Sequence, residues 1–125
     1  MLCVSPSETS KTPPQSVEIV KDDRSIEQVI KDEFKAEWKV MVAVAKCESG
    51  MQQFGKDGKV ILGKVNSNDV GLMQINTSFW GEEAKKLGHD IYTVEGNVKM
   101  AKVIYERQGL NAWLSHKCFL RSIPT

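Results

Sequence analysis

The sequence predicts an α+β protein that is mainly helical, with a small antiparallel β-hairpin lobe attached to a helical body. Apolar residues recur at helical spacing in several segments, and most of these segments are bounded by a capping residue or a glycine. Over residues 53–76 this periodicity is lost, and turn signals alternate with short β-branched runs. A length of 125 residues suits one compact domain.

The first 24 residues differ in composition from the rest of the chain. They are rich in Ser, Thr, Pro and charged residues and hold too few apolar residues to fold alone. We therefore predict a flexible linker over residues 1–24 and one domain over residues 25–125. At Ser25 the pattern changes to Ser-Ile-Glu-Gln, a capping box in which Gln28 would reach back to the free N–H. This pattern predicts the start of the first helix.

A second helix is predicted from about Ala36 to Ser49. Its apolar residues, Trp38 and Met41 among them, cover a wide surface, which indicates a helix surrounded by protein. Gly50 is a suitable stop for this helix. The stretch AVAKCESG places Glu48 at the end of the helix, where a carboxylate raises the question of a function beyond packing.

The β region follows this helix. Lys-Asp-Gly at residues 56–58 is a turn signal, and the β-branched content of residues 59–65 predicts a short strand. Asn-Ser-Asn-Asp at residues 66–69 predicts a second turn, which leads into another extended piece through Val70. Together these signals predict a small antiparallel hairpin or meander.

Two further helices complete the predicted domain. Thr77 or Ser78 can cap the segment FWGEEAKKL, which Gly88 ends. Thr93 can cap the segment VEGNVKMAKVIYERQ, which Gly109 ends. The apolar spacing within this last helix predicts a central packed element.

The composition excludes some classes of function. Hydrophobic residues make up 41% and charged residues 26% of the chain, and the net charge of +1 gives no argument for binding nucleic acid or an anionic membrane. No apolar run approaches the length that spans a bilayer. His89 and His116 lack ligand-like spacing with cysteines or carboxylates, so we predict no metal and no cofactor.

Four motifs in order along the chain carry a family resemblance. Glu48-Ser49 at the end of a helix, then a small β region, then DVGLMQIN at residues 69–76 resembles the lysozyme-like superfamily, in particular the SLT-type lytic transglycosylases. Downstream, the Phe-Trp pair at residues 79–80 and GLNAW at residues 109–113 resemble animal-type lysozymes. The resemblance covers roughly residues 25–120 and implies a lysozyme-like fold with a cleft between the lobe and the helical body.

The resemblance also implies an activity and a set of site residues. The activity is cleavage of the β-1,4-glycosidic bond between N-acetylmuramic acid (MurNAc) and N-acetylglucosamine (GlcNAc) in peptidoglycan. Glu48 takes the position of the general acid, which protonates the leaving oxygen. Asp69 takes the position of the second carboxylate of animal-type lysozymes. The residues matching substrate-binding positions are Gln74, Asn76, Phe79, Trp80, Ala112 and Trp113.

Asp69 has two alternative roles. In a hydrolysing muramidase it would be the nucleophile or the electrostatic partner of the transition state. In a lytic transglycosylase it would support the β region while the substrate's own 6-hydroxyl attacks, giving a 1,6-anhydro-MurNAc end. The GLMQIN motif favours the transglycosylase, although the late Tyr-Asn-Ala-Gly element of many SLT-type enzymes is absent. An ordinary turn aspartate is the third interpretation.

The chain has three cysteines. From the count alone, Cys47 and Cys118 are interpreted as buried thiols. Small bacterial proteins of the superfamily pair a Cys-Glu-Ser-Gly with a late Trp-x-x-Ser-x-x-Cys, and this resemblance implies a Cys47–Cys118 disulfide here, although the serine lies one place earlier. Such a bond implies an oxidising, extracytoplasmic location. Cys3 would place the protein on a membrane only if it carries a lipid.

The predicted partner is therefore the peptidoglycan glycan strand, bound by a monomer. A non-catalytic relative that binds a glycan or a protein on the same fold is a second hypothesis. A structural or interaction domain unrelated to lysozymes is a third, and it would require the ordered motifs to be accidental.

Overall fold

The computed structural model describes residues 23–113, and within them the predicted α+β fold, mainly helical with a small antiparallel lobe, is confirmed. The outer limits of the predicted linker and domain lie outside these residues and stay predictions. In chain order the elements are α1 (Ile26–Phe34), a 3-10 turn (Lys35–Glu37), α2 (Trp38–Ser49), β1 (Asp69–Val70), β2 (Ile75–Asn76), α3 (Thr77–Leu87), α4 (Val94–Gln108) and a 3-10 helix (Gly109–Trp113).

The start of α1 follows one half of the predicted capping box. The Ser25 hydroxyl accepts a hydrogen bond from the Gln28 backbone N–H at 3.1 Å, as predicted. The other half is wrong, because the Gln28 side-chain amide donates to Asp32 at 2.8 Å instead of reaching back. Asp32 is an ionised acceptor, and a hydrogen bond to a charged group is stronger than one between two neutral groups. The hydrogen bond from Arg24, and then that from Gln28, holds the pKa of Asp32 below its usual value.

α2 lies in the centre of the helical body. Residues 41–45 are all buried, so apolar neighbours surround the helix on more than one side, as its wide apolar surface predicted. The helix ends at Gly50, whose φ of +68° is left-handed. The Gly50 N–H donates to Lys46 O and the Met51 N–H to Ala45 O, which closes the last turn. The predicted stop is confirmed.

The β lobe has less regular pairing than predicted. β1 and β2 pair antiparallel, with Asp69 opposite Asn76 and Val70 opposite Ile75. The strand predicted over residues 59–65 is wrong, because that segment forms only isolated bridges at Val60 and Leu62. The side chain of Leu62 is 49% exposed and that of Val65 is fully exposed, so the run has no buried face to fix a ladder.

The caps of the last two helices match the prediction in part. Asn76, and not Thr77 or Ser78, caps α3, with its side-chain oxygen accepting from the Phe79 N–H at 3.0 Å. The Ser78 hydroxyl instead accepts a hydrogen bond from the Asn68 side chain. The predicted cap of α4, Thr93, is confirmed, as are the glycine ends at Gly88 and Gly109.

Candidate functional site

One cavity brings together all eight residues predicted to be catalytic or substrate-binding. It has a volume of about 490 Å³ and lies where the end of α2, the β lobe, α3 and the last 3-10 helix meet. The roles of these residues stay predictions, but their proximity is a property of the fold. The eight are Glu48, Asp69, Gln74, Asn76, Phe79, Trp80, Ala112 and Trp113.

A second cavity, of about 570 Å³, continues the first. The two share the lining residues Glu48, Asn66, Asp69 and Gln74, so they form one cleft. We call the part lined by Phe79 and Trp80 the aromatic arm, and the part lined by residues 61–65 the loop arm. Glu48 lines both arms, so this residue lies where the two arms meet.

Glu48 is half-buried in the last turn of α2. Residues 41–45 of this helix are buried in the core, and Gly50 ends the helix immediately after the Glu48-Ser49 pair. The Ser49 hydroxyl oxygen lies 2.8 Å from Leu72 O and 3.1 Å from Ala45 O, and these two acceptors share its single proton. Ser49 therefore connects the helix end that carries Glu48 to the turn between β1 and β2.

Asp69 and Asn76 form a pair across the two-stranded sheet. The Asn76 side-chain nitrogen donates to the Asp69 carboxylate at 3.0 Å, and the Asn76 side-chain oxygen caps α3. Both ends of this amide are thus engaged within the protein. Asn76 fixes the Asp69 carboxylate relative to the start of α3, which carries Phe79 and Trp80.

Gln74 has an unusual backbone conformation. Its φ is +52°, in a region that residues other than glycine rarely occupy. Its backbone N–H and its side-chain nitrogen both donate to Gly71 O, at 3.1 and 3.0 Å. Non-glycine residues hold such a conformation only where the surroundings enforce it, and such positions cluster at functional sites. Gln74 lines both arms of the cleft.

The aromatic arm has one exposed wall on α3. Phe79 is 73% exposed and meets Trp80 edge-to-face, with the ring centroids 5.2 Å apart. The Arg107 guanidinium lies 5.9 Å from the Trp80 ring centroid and pairs with Glu83 at 2.7 Å. The hydrogen bond from Arg107 lowers the pKa of the Glu83 carboxyl. Arg107 therefore links α4 to the helix that presents Trp80.

Trp113 lines the same arm but belongs largely to the core. Its side chain is 2% exposed, and its indole N–H donates to Met73 O at 2.9 Å. Only a small part of its surface is left for a sugar. Neighbouring Ala112 is exposed at the cleft.

Several residues outside the predicted set also line the cleft or lie close to it. Asn66 lines both arms, and Ile104 and Gln108 of α4 line the aromatic arm. Gln53 and Asn97 are the buried polar side chains among residues 23–113. They accept hydrogen bonds from the backbone N–H groups of Leu72 and Met73, in the turn that leads to Gln74. A signal for Asn97 was present, since it is a carboxamide in the predicted central packed helix.

Within the described part of the chain, no three or more His, Cys, Asp or Glu side chains are placed to hold a metal ion. None of the helices in residues 23–113 combines the length and apolar character needed to cross a membrane. Cys3 and Cys118 lie outside the described residues, so the lipid anchor and the disulfide stay predictions.

The family model of the Transglycosylase SLT domain matches residues 25–108. The match covers more than half of the chain and includes Glu48, both strands and helices α1 to α4. Among curated proteins and among solved structures there is no significant match.

Proposed function

The chain belongs to the transglycosylase SLT domain family, whose members act on peptidoglycan, and from this membership we propose that it is a lytic transglycosylase. The bond cleaved is the β-1,4 link between MurNAc and GlcNAc, and the products carry 1,6-anhydro-MurNAc ends. The observation that carries this proposal is the position of Glu48, half-buried and lining both arms of one cleft.

Glu48 is the general acid in this proposal. The carboxyl protonates the bridging oxygen as the bond from MurNAc C1 to that oxygen breaks, which gives the GlcNAc product a free 4-hydroxyl. The 6-hydroxyl of the same MurNAc then bonds to C1, and its proton passes to the Glu48 carboxylate. No water is consumed, and the acid is restored for the next turnover. A carboxyl between two arms has one sugar on each side, as this chemistry requires.

The arms are suited to a polymer of neutral sugar rings. Phe79 and Trp80 offer exposed aromatic surface in the aromatic arm, and aromatic faces stack on the apolar faces of sugars. In the loop arm, Leu62 and Val65 are exposed beside the backbone of Gly63. We propose that Gln74 supplies the polar contacts at the centre, whereas Asn76 acts mainly by orienting Asp69.

Replacing Asp69 by Asn separates the two chemistries. The asparagine oxygen can still accept from Asn76, so the change removes charge and keeps the hydrogen bond. For a transglycosylase that uses the substrate's own hydroxyl, we expect the rate of fragment release from purified peptidoglycan to stay within about tenfold of wild type. Mass spectrometry of the fragments should show anhydro ends from both proteins.

Asp57→Asn is the matched control, because Asp57 is an exposed turn aspartate elsewhere in the β region. A loss of about 100-fold or more in Asp69→Asn alone, with reducing ends from wild type, would assign hydrolysis to the protein. Asp69 would then be the second catalytic carboxylate.

The proposal includes a Cys47–Cys118 disulfide and action outside the cytoplasm by a monomer. Cys47 directly precedes Glu48 and lines the loop arm, so a bond there would brace the catalytic helix. Closing a loop of about 70 residues stabilises a fold by roughly 4 kcal/mol in chain-entropy models. Titration of the denatured, unreduced protein should find two fewer thiols than after reduction. Three free thiols before reduction would exclude the bond.

A further inference from the structure

A tight turn, residues 71–74, joins β1 to β2, and its last residue, Gln74, lines the cleft. We call it the floor turn. Two carboxamides, Gln53 and Asn97, lie against it and are 1% and 0% exposed. Neither lines the cleft, and neither has a part in the proposed chemistry. Buried carboxamides are costly unless fully hydrogen-bonded, so what they bind indicates what they do.

Gln53 connects the floor turn to the loop before α4. Its side-chain oxygen accepts from the Leu72 N–H at 2.8 Å. Its side-chain nitrogen donates to Ile91 O at 3.1 Å. One amide thus satisfies a donor in the turn and an acceptor in the loop.

Asn97 makes the matching contacts from α4. Its side-chain oxygen accepts from the Met73 N–H at 2.9 Å. Its side-chain nitrogen donates to Val70 O at 2.9 Å and to Ile91 O at 2.8 Å. Asn97 therefore binds the floor turn at Met73 and binds the strand residue just before the turn, Val70.

Gly71 shows how closely the turn lies on this pair. Its φ is +76°, and a Cβ added there would come within 2.5 Å of the Asn97 side-chain nitrogen and 2.6 Å of the Gln53 side-chain oxygen. No side chain fits between the turn and the two carboxamides. The backbone path up to Gln74 is therefore packed closely against Gln53 and Asn97, and Ser49 and Trp113 bind the carbonyls of Leu72 and Met73 in the same turn.

We propose that Gln53 and Asn97 are positioning residues for glycan cleavage, which hold the floor turn so that Gln74 faces the cleft. The inference rests on the proposed function. Gln74 keeps a strained left-handed backbone, which its surroundings must enforce. Leu72 and Met73 of the turn belong to the same apolar core as residues of α1, α2 and α4, so the test has to separate movement of Gln74 from loss of folding.

The test uses carboxyl substitutions, because their protonation switches the hydrogen bonding. In Gln53→Glu, a protonated carboxyl can donate to Ile91 O and accept from the Leu72 N–H, whereas an ionised one has no donor and buries a charge. In Asn97→Asp, a protonated carboxyl supplies one donor where the amide supplied two. Gln52→Glu is the matched control, since Gln52 is the exposed neighbour. Gln53→Met removes both hydrogen bonds without adding charge.

Rates of fragment release are compared from about pH 5 to about pH 8, with circular dichroism to establish that each protein is folded. We expect the rate of Gln53→Glu to lie within about twofold of the wild-type rate at the lowest pH. At the highest pH it should be lower than the wild-type rate by about tenfold or more. The rate of Asn97→Asp should be lower than that of wild type at both pH limits. The rate of Gln53→Met should be lowered by the same factor at every pH, and the rate of Gln52→Glu should equal that of wild type. Resonances of the Gln74 side-chain amide should shift with pH in Gln53→Glu by more than they shift in wild type and in the control.

The proposal is overturned if Gln53→Glu and Gln53→Met follow wild type at every pH. It is also overturned if their rates fall only in proportion to the unfolded fraction, which would mean a purely structural role. If wild type itself releases no fragments, the proposed function fails, but the Gln74 resonance still decides the positioning role. A pH-dependent shift in Gln53→Glu that exceeds the shift in Gln52→Glu supports that role, and a resonance that moves no more than in the control rejects it.

Discussion

Replacing Glu48 by Gln is expected to lower the rate of peptidoglycan cleavage by about 10²- to 10⁴-fold, the usual contribution of a general acid. The amide keeps the size of the side chain and cannot deliver a proton to the leaving oxygen. Glu48 is half-buried at a helix end, so we expect the fold and glycan binding to persist. The measurement is mass spectrometry of soluble fragments, with anhydro-muropeptides from wild type alone.

Glu37→Gln is a suitable control, because Glu37 is an exposed glutamate at the other end of the same helix. It should release fragments at the wild-type rate. Turnover that survives in Glu48→Gln would remove Glu48 from its catalytic role. If wild type binds the wall but releases no fragments, the non-catalytic binding relative becomes the better interpretation.

Replacing Gly96 by Ala should have the largest effect on stability. A Cβ at this position would come within 1.9 Å of Asp90 O and within 2.7 Å of the Asp90 backbone nitrogen. Backbone atoms cannot swing aside as a long side chain does, so the loop before α4 or the first turn of α4 must move. We expect the free energy of unfolding to fall by about 2–4 kcal/mol, measured by urea denaturation.

Gly81→Ala provides the matched control inside a helix. A Cβ there meets only the Thr77 Cβ, at an ordinary 3.8 Å. Alanine is the better helix former, so this variant should gain about 0.5–1 kcal/mol. If both variants gain stability, the close approach of Asp90 to α4 is not a feature of the folded protein.

Most features that depend on neighbouring residues were predicted correctly, although the contact from the Gln28 side chain back to Ser25 was not. The caps at Ser25 and Thr93 and the glycine ends at Gly50 and Gly88 need only a suitable residue within a few positions. Such requirements are visible in a single sequence, because their hydrogen bonds close within one helical turn. The helical body could therefore be predicted in order.

Features that depend on residues distant in the sequence were not predicted correctly. The run over residues 59–65 has the composition of a strand, but only Val60 and Leu62 find bridge partners. The cap of α3 is Asn76, and the hydroxyl of Ser78 instead accepts a hydrogen bond from Asn68, ten positions earlier. Strand formation reflects packing against neighbours more than intrinsic preference, so composition alone overestimates it.

The candidate site divides in the same way. Residues in short motifs, such as Glu48 and Asp69, were identified because the family resemblance places them in order along the chain. Gln53 and Asn97 were not identified from the sequence, because only the fold brings both carboxamides against the same turn. Trp113 was predicted to face a sugar, but most of its side chain is buried, which no local pattern indicates.

The floor turn also bears on how the cleft can move. Side chains bind both backbone groups of its two central residues: Gln53 and Ser49 bind those of Leu72, and Asn97 and Trp113 bind those of Met73. A hinge at this turn would have to break these hydrogen bonds together. The turn therefore moves with the helical body as one rigid piece. A glycan strand would meet a preformed floor, and adjustment to it would fall to the exposed edges, Phe79 on one side and the loop arm on the other.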